Sequence, residues 1–134
     1  MRTVLRCAMG LWIAAQTPTV RAHHSLAGVY DSTRTATIEA VVSEFRFINP
    51  HPLVIVDVID EEGRESSWTL EMDNRRELAE IGFDAGTLAP GDRVVVTGSL
   101  ARNDARRLYI RRLDRPRDGL HYRQVGSRPE LRRN

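Results

Sequence analysis

Three of the four histidines in this sequence fall in two short motifs that suit metal binding. His23-His24-Ser25 is one motif, and Asn49-Pro50-His51 is the other. If the chain is cut after Ala22, His23 carries a free α-amine beside its imidazole, and this pair of nitrogens suits Cu(II), which favours nitrogen ligands in tetragonal geometry. As the second residue, His24 then offers its imidazole, the intervening amide nitrogen and the terminal amine.

His51 completes the candidate site. The twelve residues from His23 to Arg34 reach across a small barrel at about 3.3 Å each, and the flanking prolines stiffen the segment that presents His51. We therefore expect a site for Cu(II), or for another transition metal, at His23, His24 and His51. The alternative is that His23 and His24 form a solvated terminus and that His51 is a turn residue satisfied by backbone.

The other motifs of the sequence give no catalytic residue and no second cofactor. There is no Gly-rich phosphate loop and no HExxH, and no serine has the Gly-x-Ser-x-Gly context of a nucleophile elbow. Acidic residues cluster at Asp60-Glu61-Glu62 and Glu65. A charged turn of this kind is ordinarily solvated, so we assign it no acid–base role.

The first 22 residues are typical of a cleavable secretory signal. A basic start up to Arg6 precedes an apolar run from Cys7 to Ala15, and Val20 and Ala22 occupy the −3 and −1 positions of a cleavage site. The run is too short to span a bilayer, which needs about 20 residues. We expect a periplasmic or secreted protein that has no transmembrane segment and no cysteine after cleavage.

Charge is divided along the chain. The sequence has 20 Arg and no Lys; residues 23–100 hold 6 Arg and 14 acids, whereas residues 101–134 hold 11 Arg and 4 acids. The pattern indicates an acidic folded body followed by a basic tail. An acidic body, few aromatic residues and an export signal together argue against a nucleic-acid partner.

Strand patterns dominate the middle of the sequence. Apolar and polar residues alternate over residues 37–42. The apolar positions then shift by one residue to Phe45 and Phe47, so one long first strand needs a bulge or a bend. The prolines of residues 49–52 end it. Residues 53–59 and 65–72 then form a hairpin, in which Trp68, Leu70 and Met72 point inward.

One short helix and two further strands follow. Asn74 is a helix cap, Ile81 is the last helical residue and Gly82 is a stop. Turn residues at 88–92 and at Asn103-Asp104 introduce strands at 93–100 and 106–113. The order is therefore three strands, a helix and two strands.

This order predicts an all-β fold with one short helix, a small five-stranded OB-like Greek-key barrel. A meander sandwich is the alternative. We expect a signal peptide at residues 1–22, a His-containing arm at 23–34, the barrel at 35–113 and an Arg-rich flexible tail at 114–134, where His121 is a surface residue.

Several motifs together resemble a secreted bacterial family known as domain of unknown function 6152. They are His23-His24-Ser25, residues 47–51, Trp68 with Glu71, and residues 88–92 continuing to Val96-Thr97-Gly98. The resemblance covers nearly all of residues 23–113. It implies a small exported β-barrel and names no reaction, and the tail after Leu113 departs from it.

We thus expect an exported binding or accessory protein that carries the histidine metal site. The first alternative is a structural or interaction module, without metal, that docks a periplasmic protein through a barrel face or sheet edge. A copper-dependent oxidative enzyme ranks last, because the sequence displays no substrate surface.

Overall fold

The computed structural model describes residues 26–126 and 128–133, which form seven strands and two short helices. In chain order these are α1 (Leu26–Val29), β1 (Tyr30–Arg46), β2 (Leu53–Ile59), β3 (Glu65–Glu71), α2 (Arg75–Glu80), β4 (Arg93–Ala101), β5 (Arg107–Arg115), β6 (Leu120–Val125) and β7 (Arg128–Arg132). The fold is therefore all-β, as expected. It has two strands and one helix more than the sequence predicted.

The long first strand contains the expected bulge. Val42 lies opposite Val56, but Glu44 lies opposite Ile55, so the register between β1 and β2 shifts across Ser43. The shift changes which face the following side chains occupy, and this places both Val42 and Phe45 on the core side. The strand begins earlier than the alternation indicated, at Tyr30.

Strand pairing links one end of the strand order back to an inner strand. The order is β3-β2-β1-β4-β5-β6-β7, and β3 pairs in addition with β5. This extra pairing is parallel, with Leu70 opposite Leu108, whereas the neighbouring strands of the order pair antiparallel. The core is made of inward side chains, which include Val42, Val54, Val56, Leu70, Val96, Leu108, Ile110 and Leu113.

Helix α2 closes one end of this core. The Asn74 side chain accepts a hydrogen bond from the Arg76 N–H at 2.8 Å, which is the expected cap. Leu78 is fully buried, and Gly82 follows the helix with a φ of 93°. Within the two described ranges, no helix is long and apolar enough to cross a membrane.

The C-terminal segment differs from the flexible tail that we expected. Residues 120–132 form the hairpin of β6 and β7, which continues the sheet from β5. Leu120 and Tyr122 are buried, and the Tyr122 ring meets the Phe83 ring edge-on at 5.6 Å between centroids. These two apolar side chains give an Arg-rich segment enough buried surface to fold onto the core.

Candidate functional site

The segment between β1 and β2, residues 47–52, is held in place by Arg75 of α2. The Arg75 N–H donates to the Pro50 carbonyl at 3.0 Å, and its Nε donates to the Phe47 carbonyl at 3.1 Å. Its guanidinium lies over the Phe47 ring, 4.9 Å from the centroid. The Asn49–Pro50 peptide bond is cis. Arg75 therefore fixes the backbone that carries His51.

The orientation of the His51 ring follows from the proline next to it. The Pro52 carbonyl accepts a hydrogen bond from the Met72 N–H at 3.0 Å, as in an antiparallel pair. Proline has no N–H to return to the Met72 carbonyl. His51 Nδ1 lies 3.1 Å from that carbonyl oxygen and satisfies it instead.

This contact decides which ring nitrogen of His51 is available. A carbonyl oxygen only accepts hydrogen bonds, so Nδ1 carries the proton and Nε2 keeps its lone pair. Metal-binding histidines commonly donate their second ring N–H to a backbone carbonyl, which fixes the tautomer and the ring orientation. His51 is half-buried. If His51 is only a turn residue satisfied by backbone, the contact with the Met72 carbonyl accounts for one of its two ring nitrogens and leaves the other unused.

The other two predicted ligands, His23 and His24, lie outside the described residues. The structure therefore does not bring the three predicted ligands together or separate them. Among residues 26–126 and 128–133, no group of three or more His, Cys, Asp or Glu side chains could hold a metal ion. His51 is the one predicted ligand whose surroundings are defined.

The start of the described chain packs near the end of β3. Leu26 and Val29 of α1 contact a small buried cluster formed by Tyr30, Ala101 and Tyr109. Arg102 holds the same helix, because its backbone N–H donates to the Val29 carbonyl at 2.9 Å and its Nε donates to a second carbonyl of α1. Helix α1 is thus anchored to the end of β4.

Two buried carboxylates, Glu71 and Asp73, lie on either side of Met72. The Tyr30 hydroxyl donates to Glu71 at 2.5 Å, and Arg107 Nη2 donates to the same oxygen at 2.7 Å. The Tyr109 and Tyr122 hydroxyls donate to the two oxygens of Asp73. The sequence analysis assigned no role to this cluster, although acidic residues alternating with an apolar one at a strand end were a visible signal.

The cluster uses every tyrosine of the chain, which are Tyr30, Tyr109 and Tyr122. Burial raises the pKa of each phenol above its ordinary value of 10.0, and the acceptor carboxylate raises it further. All the buried side-chain polar atoms of the described residues have hydrogen-bond partners. The tyrosines and carboxylates therefore form a satisfied structural network beneath the arm.

Comparison with known proteins identifies the family of the chain. The model of a family described as "Family of unknown function (DUF6152)" matches residues 11–108, which confirms the resemblance drawn from the motifs. No curated protein and no solved structure shows a significant match to this sequence. The matched segment includes His51, Met72 and the strands that position them. The chain belongs to the family DUF6152.

Proposed function

We propose that this protein is an exported accessory protein that binds Cu(II), or another transition metal, through His23, His24 and His51. The observation that carries the proposal is the contact of His51 Nδ1 with the Met72 carbonyl at 3.1 Å. In the neutral ring it leaves Nε2 as a preoriented ligand, on a segment whose backbone is held by Arg75. Cleavage after Ala22 supplies the amine and imidazole nitrogens of His23.

The position of the arm supports the proposed ligand set. Glu71 of β3 lies opposite Tyr109 of β5 on one side and opposite Leu53 of β2 on the other. Two strand spacings of about 4.8 Å each therefore separate Tyr109, against which α1 packs, from the strand that follows His51. His24 precedes Leu26 by two residues, which span up to about 7 Å. The proposal requires that this span and the imidazole side chains together bridge the separation.

We also propose that β1 to β5 form a closed OB-like barrel, to which β6 and β7 are added. The parallel pairing of β3 with β5 supports this arrangement, because it joins the two ends of the five-strand order β3-β2-β1-β4-β5. The position of α2 between β3 and β4 agrees with the same architecture. In such a barrel the proposed metal site lies at the turn between the first two strands.

The test is a Cu(II) titration followed by electron paramagnetic resonance, on protein exported and processed by its own signal. Intact mass first establishes that His23 is the mature N-terminus. We expect one equivalent of copper to bind with nitrogen hyperfine structure. His24→Ala or His51→Ala should weaken binding by about tenfold or more, because each removes a ligand nitrogen.

Two further variants make the titration specific. His121→Ala is the matched control, because it removes an imidazole that contacts Asp114 on β5, and copper affinity should not change. Pro52→Ala supplies an N–H that competes for the Met72 carbonyl, so it should loosen the His51 ring and weaken binding to an intermediate degree. Weak non-stoichiometric binding, or a mature N-terminus other than His23, contradicts the proposal.

A second candidate function is an interaction module that docks a periplasmic protein without metal. It is favoured by a groove of about 420 Å³ on the outer face of β2, β1 and β4, whose lining includes Val41, Val95 and Ile59. Ile59 is 67% exposed, more than the other exposed large apolar side chains of the described residues, and it lies beside apolar lining. For this function, His51→Ala should leave partner binding intact, and Ile59→Arg should abolish it.

A further inference from the structure

A cleft of about 350 Å³ lies beside the turn that connects β5 to β6. Its lining includes Asp114 from β5, His121 from β6 and Arg132 from β7, together with the apolar surfaces of Pro116 and Leu120. The cleft lies wholly outside the residues matched by the family model, which end at residue 108. Of the proposed copper ligands, His51 has a described position, and it is not among the lining residues of the cleft.

Strand register brings the three polar side chains onto one face. Asp114 lies directly opposite His121, and His121 lies directly opposite Arg132, so the three form a row across β5, β6 and β7. Directly opposed residues of antiparallel strands have Cβ atoms about 5 Å apart and project from the same side of the sheet. A carboxylate, an imidazole and a guanidinium therefore stand side by side.

The carboxylate orients the imidazole. His121 Nδ1 lies 2.6 Å from one oxygen of Asp114, and Arg112 Nε donates to the other oxygen at 2.6 Å. A carboxylate only accepts, so Nδ1 carries a proton and Nε2 is left for a ligand. Although partial burial alone would raise it, the Arg112 and His121 hydrogen bonds hold the pKa of Asp114 below its ordinary value. The two oxygens of Asp114 are thus occupied by Arg112 and His121.

Around the cleft, arginines outnumber carboxylates by one. Five arginines of this region face four carboxylates, namely Arg112, Arg115, Arg117, Arg123 and Arg132 against Asp92, Asp114, Asp118 and Glu130. Arg115 is committed to buried Asp92, to the Thr87 carbonyl and to Asp118. The Arg132 guanidinium is 73% exposed, and it approaches Glu130 only to 3.6 Å, which is longer than a hydrogen bond. Arg132 can therefore turn its donors towards a ligand.

We propose that this cleft binds a phosphate oxyanion, between the His121 ring, protonated at Nε2 when the anion binds, and the guanidinium of Arg132. An arginine fork and a cationic donor are a strong combination for a tetrahedral oxyanion. The cleft is larger than inorganic phosphate, and Pro116 and Leu120 supply an apolar wall. A phosphate monoester with a small organic group therefore matches it best.

The test is calorimetric titration of the mature protein with inorganic phosphate and with phenyl phosphate. Both probes carry the recognised oxyanion, and only the second reaches the apolar wall. We expect saturable binding of one equivalent of each, tighter for phenyl phosphate. His121→Gln and Arg132→Gln should each weaken it by about tenfold or more, because each removes a charge-assisted hydrogen bond.

Arg106→Gln is the matched control, since Arg106 is an exposed arginine on the turn before β5 and its loss changes the net charge by the same amount. It should leave the affinity unchanged. The ring signals of His121 in nuclear magnetic resonance should move during the titration while those of His51 stay fixed. Absence of saturable binding, or equal weakening by Arg106→Gln and Arg132→Gln, would overturn the proposal.

Discussion

Pro52 and Gly98 are single residues whose backbones determine what their neighbours can do. Pro52 leaves the Met72 carbonyl without its usual donor, and His51 supplies one. Gly98 lies where the register between β4 and β5 shifts, and it leaves room for the Tyr109 carbonyl and the Leu108 side chain. Pro52 lacks an N–H and Gly98 lacks a Cβ, and in each case the missing group makes possible a contact between residues distant in sequence.

Gly98→Ala tests the second of these contacts. A Cβ at this position would overlap the Tyr109 carbonyl oxygen and the Leu108 side chain, and the backbone oxygen cannot move without breaking the pairing of β4 with β5. We expect the free energy of unfolding, measured with urea, to fall by about 3 kcal/mol. Gly28→Ala is the control, because nothing lies within 4 Å of its added Cβ. Equal stability of the two variants would refute this account.

At the scale of elements, the hairpin of β6 and β7 is part of the folded unit. Tyr122 packs against Phe83 and donates to Asp73, so the hairpin contacts the segments on both sides of α2. Arg115, just before the hairpin, donates to the Thr87 carbonyl at 2.8 Å and to buried Asp92 at 2.5 Å. A buried ion pair of this kind constrains the approach of β5 to the loop before β4.

Truncation after Asp118 tests whether the hairpin stabilises the fold. It removes the buried side chains of Leu120 and Tyr122 and exposes Phe83, so we expect a loss of about 4 kcal/mol or more in the free energy of unfolding. Truncation after Arg132 is the control and should change little. If both truncated chains unfold at the same urea concentration as the full chain, residues 119–132 are the flexible tail that the sequence suggested.

A feature could be predicted from the sequence when neighbouring residues determine it, and could not be when residues distant in sequence determine it. The boundaries of β2 and the bulge of β1 were predictable, because both depend on local alternation of apolar residues. The hairpin was not, because Leu120 and Tyr122 are isolated apolar residues whose partners, Phe83 and Asp73, are distant in sequence. For His51, the motif was evident in the sequence. Its contact with Met72 was not predictable, because it depends on the register between β2 and β3.

At the scale of the whole molecule, charge that is divided along the sequence is mixed in space. The acidic body and the basic C-terminal segment exchange ion pairs, among them Arg102 with Asp31, Arg107 with Glu71 and Arg115 with Asp92. The basic segment therefore neutralises the body on which it folds. The last two pairs include a buried carboxylate, so removing either arginine would leave a buried charge without that partner.

The three tyrosines predict how the fold responds to alkali. Their pKa values are raised in the folded state, so their contribution to stability is complete below pH 10 and is lost as the pH rises further. We expect tyrosinate absorbance to appear only together with the loss of circular dichroism. In urea, the same residues should titrate near their ordinary value of 10.0. Tyrosinate forming near pH 10 in the folded protein would contradict the network.

The outermost position of β7 has a consequence for behaviour at high concentration. At the other end of the strand order, residues 69–71 of β3 also pair with β5, whereas β7 pairs with β6 alone and presents an open edge along its whole length. This strand has five residues, Pro129 interrupts its N–H groups, and arginines stand at both ends. Short, charged, proline-containing edges resist edge-to-edge aggregation. We therefore expect that the β7 edge does not promote aggregation in concentrated solution, despite the high strand content of the protein.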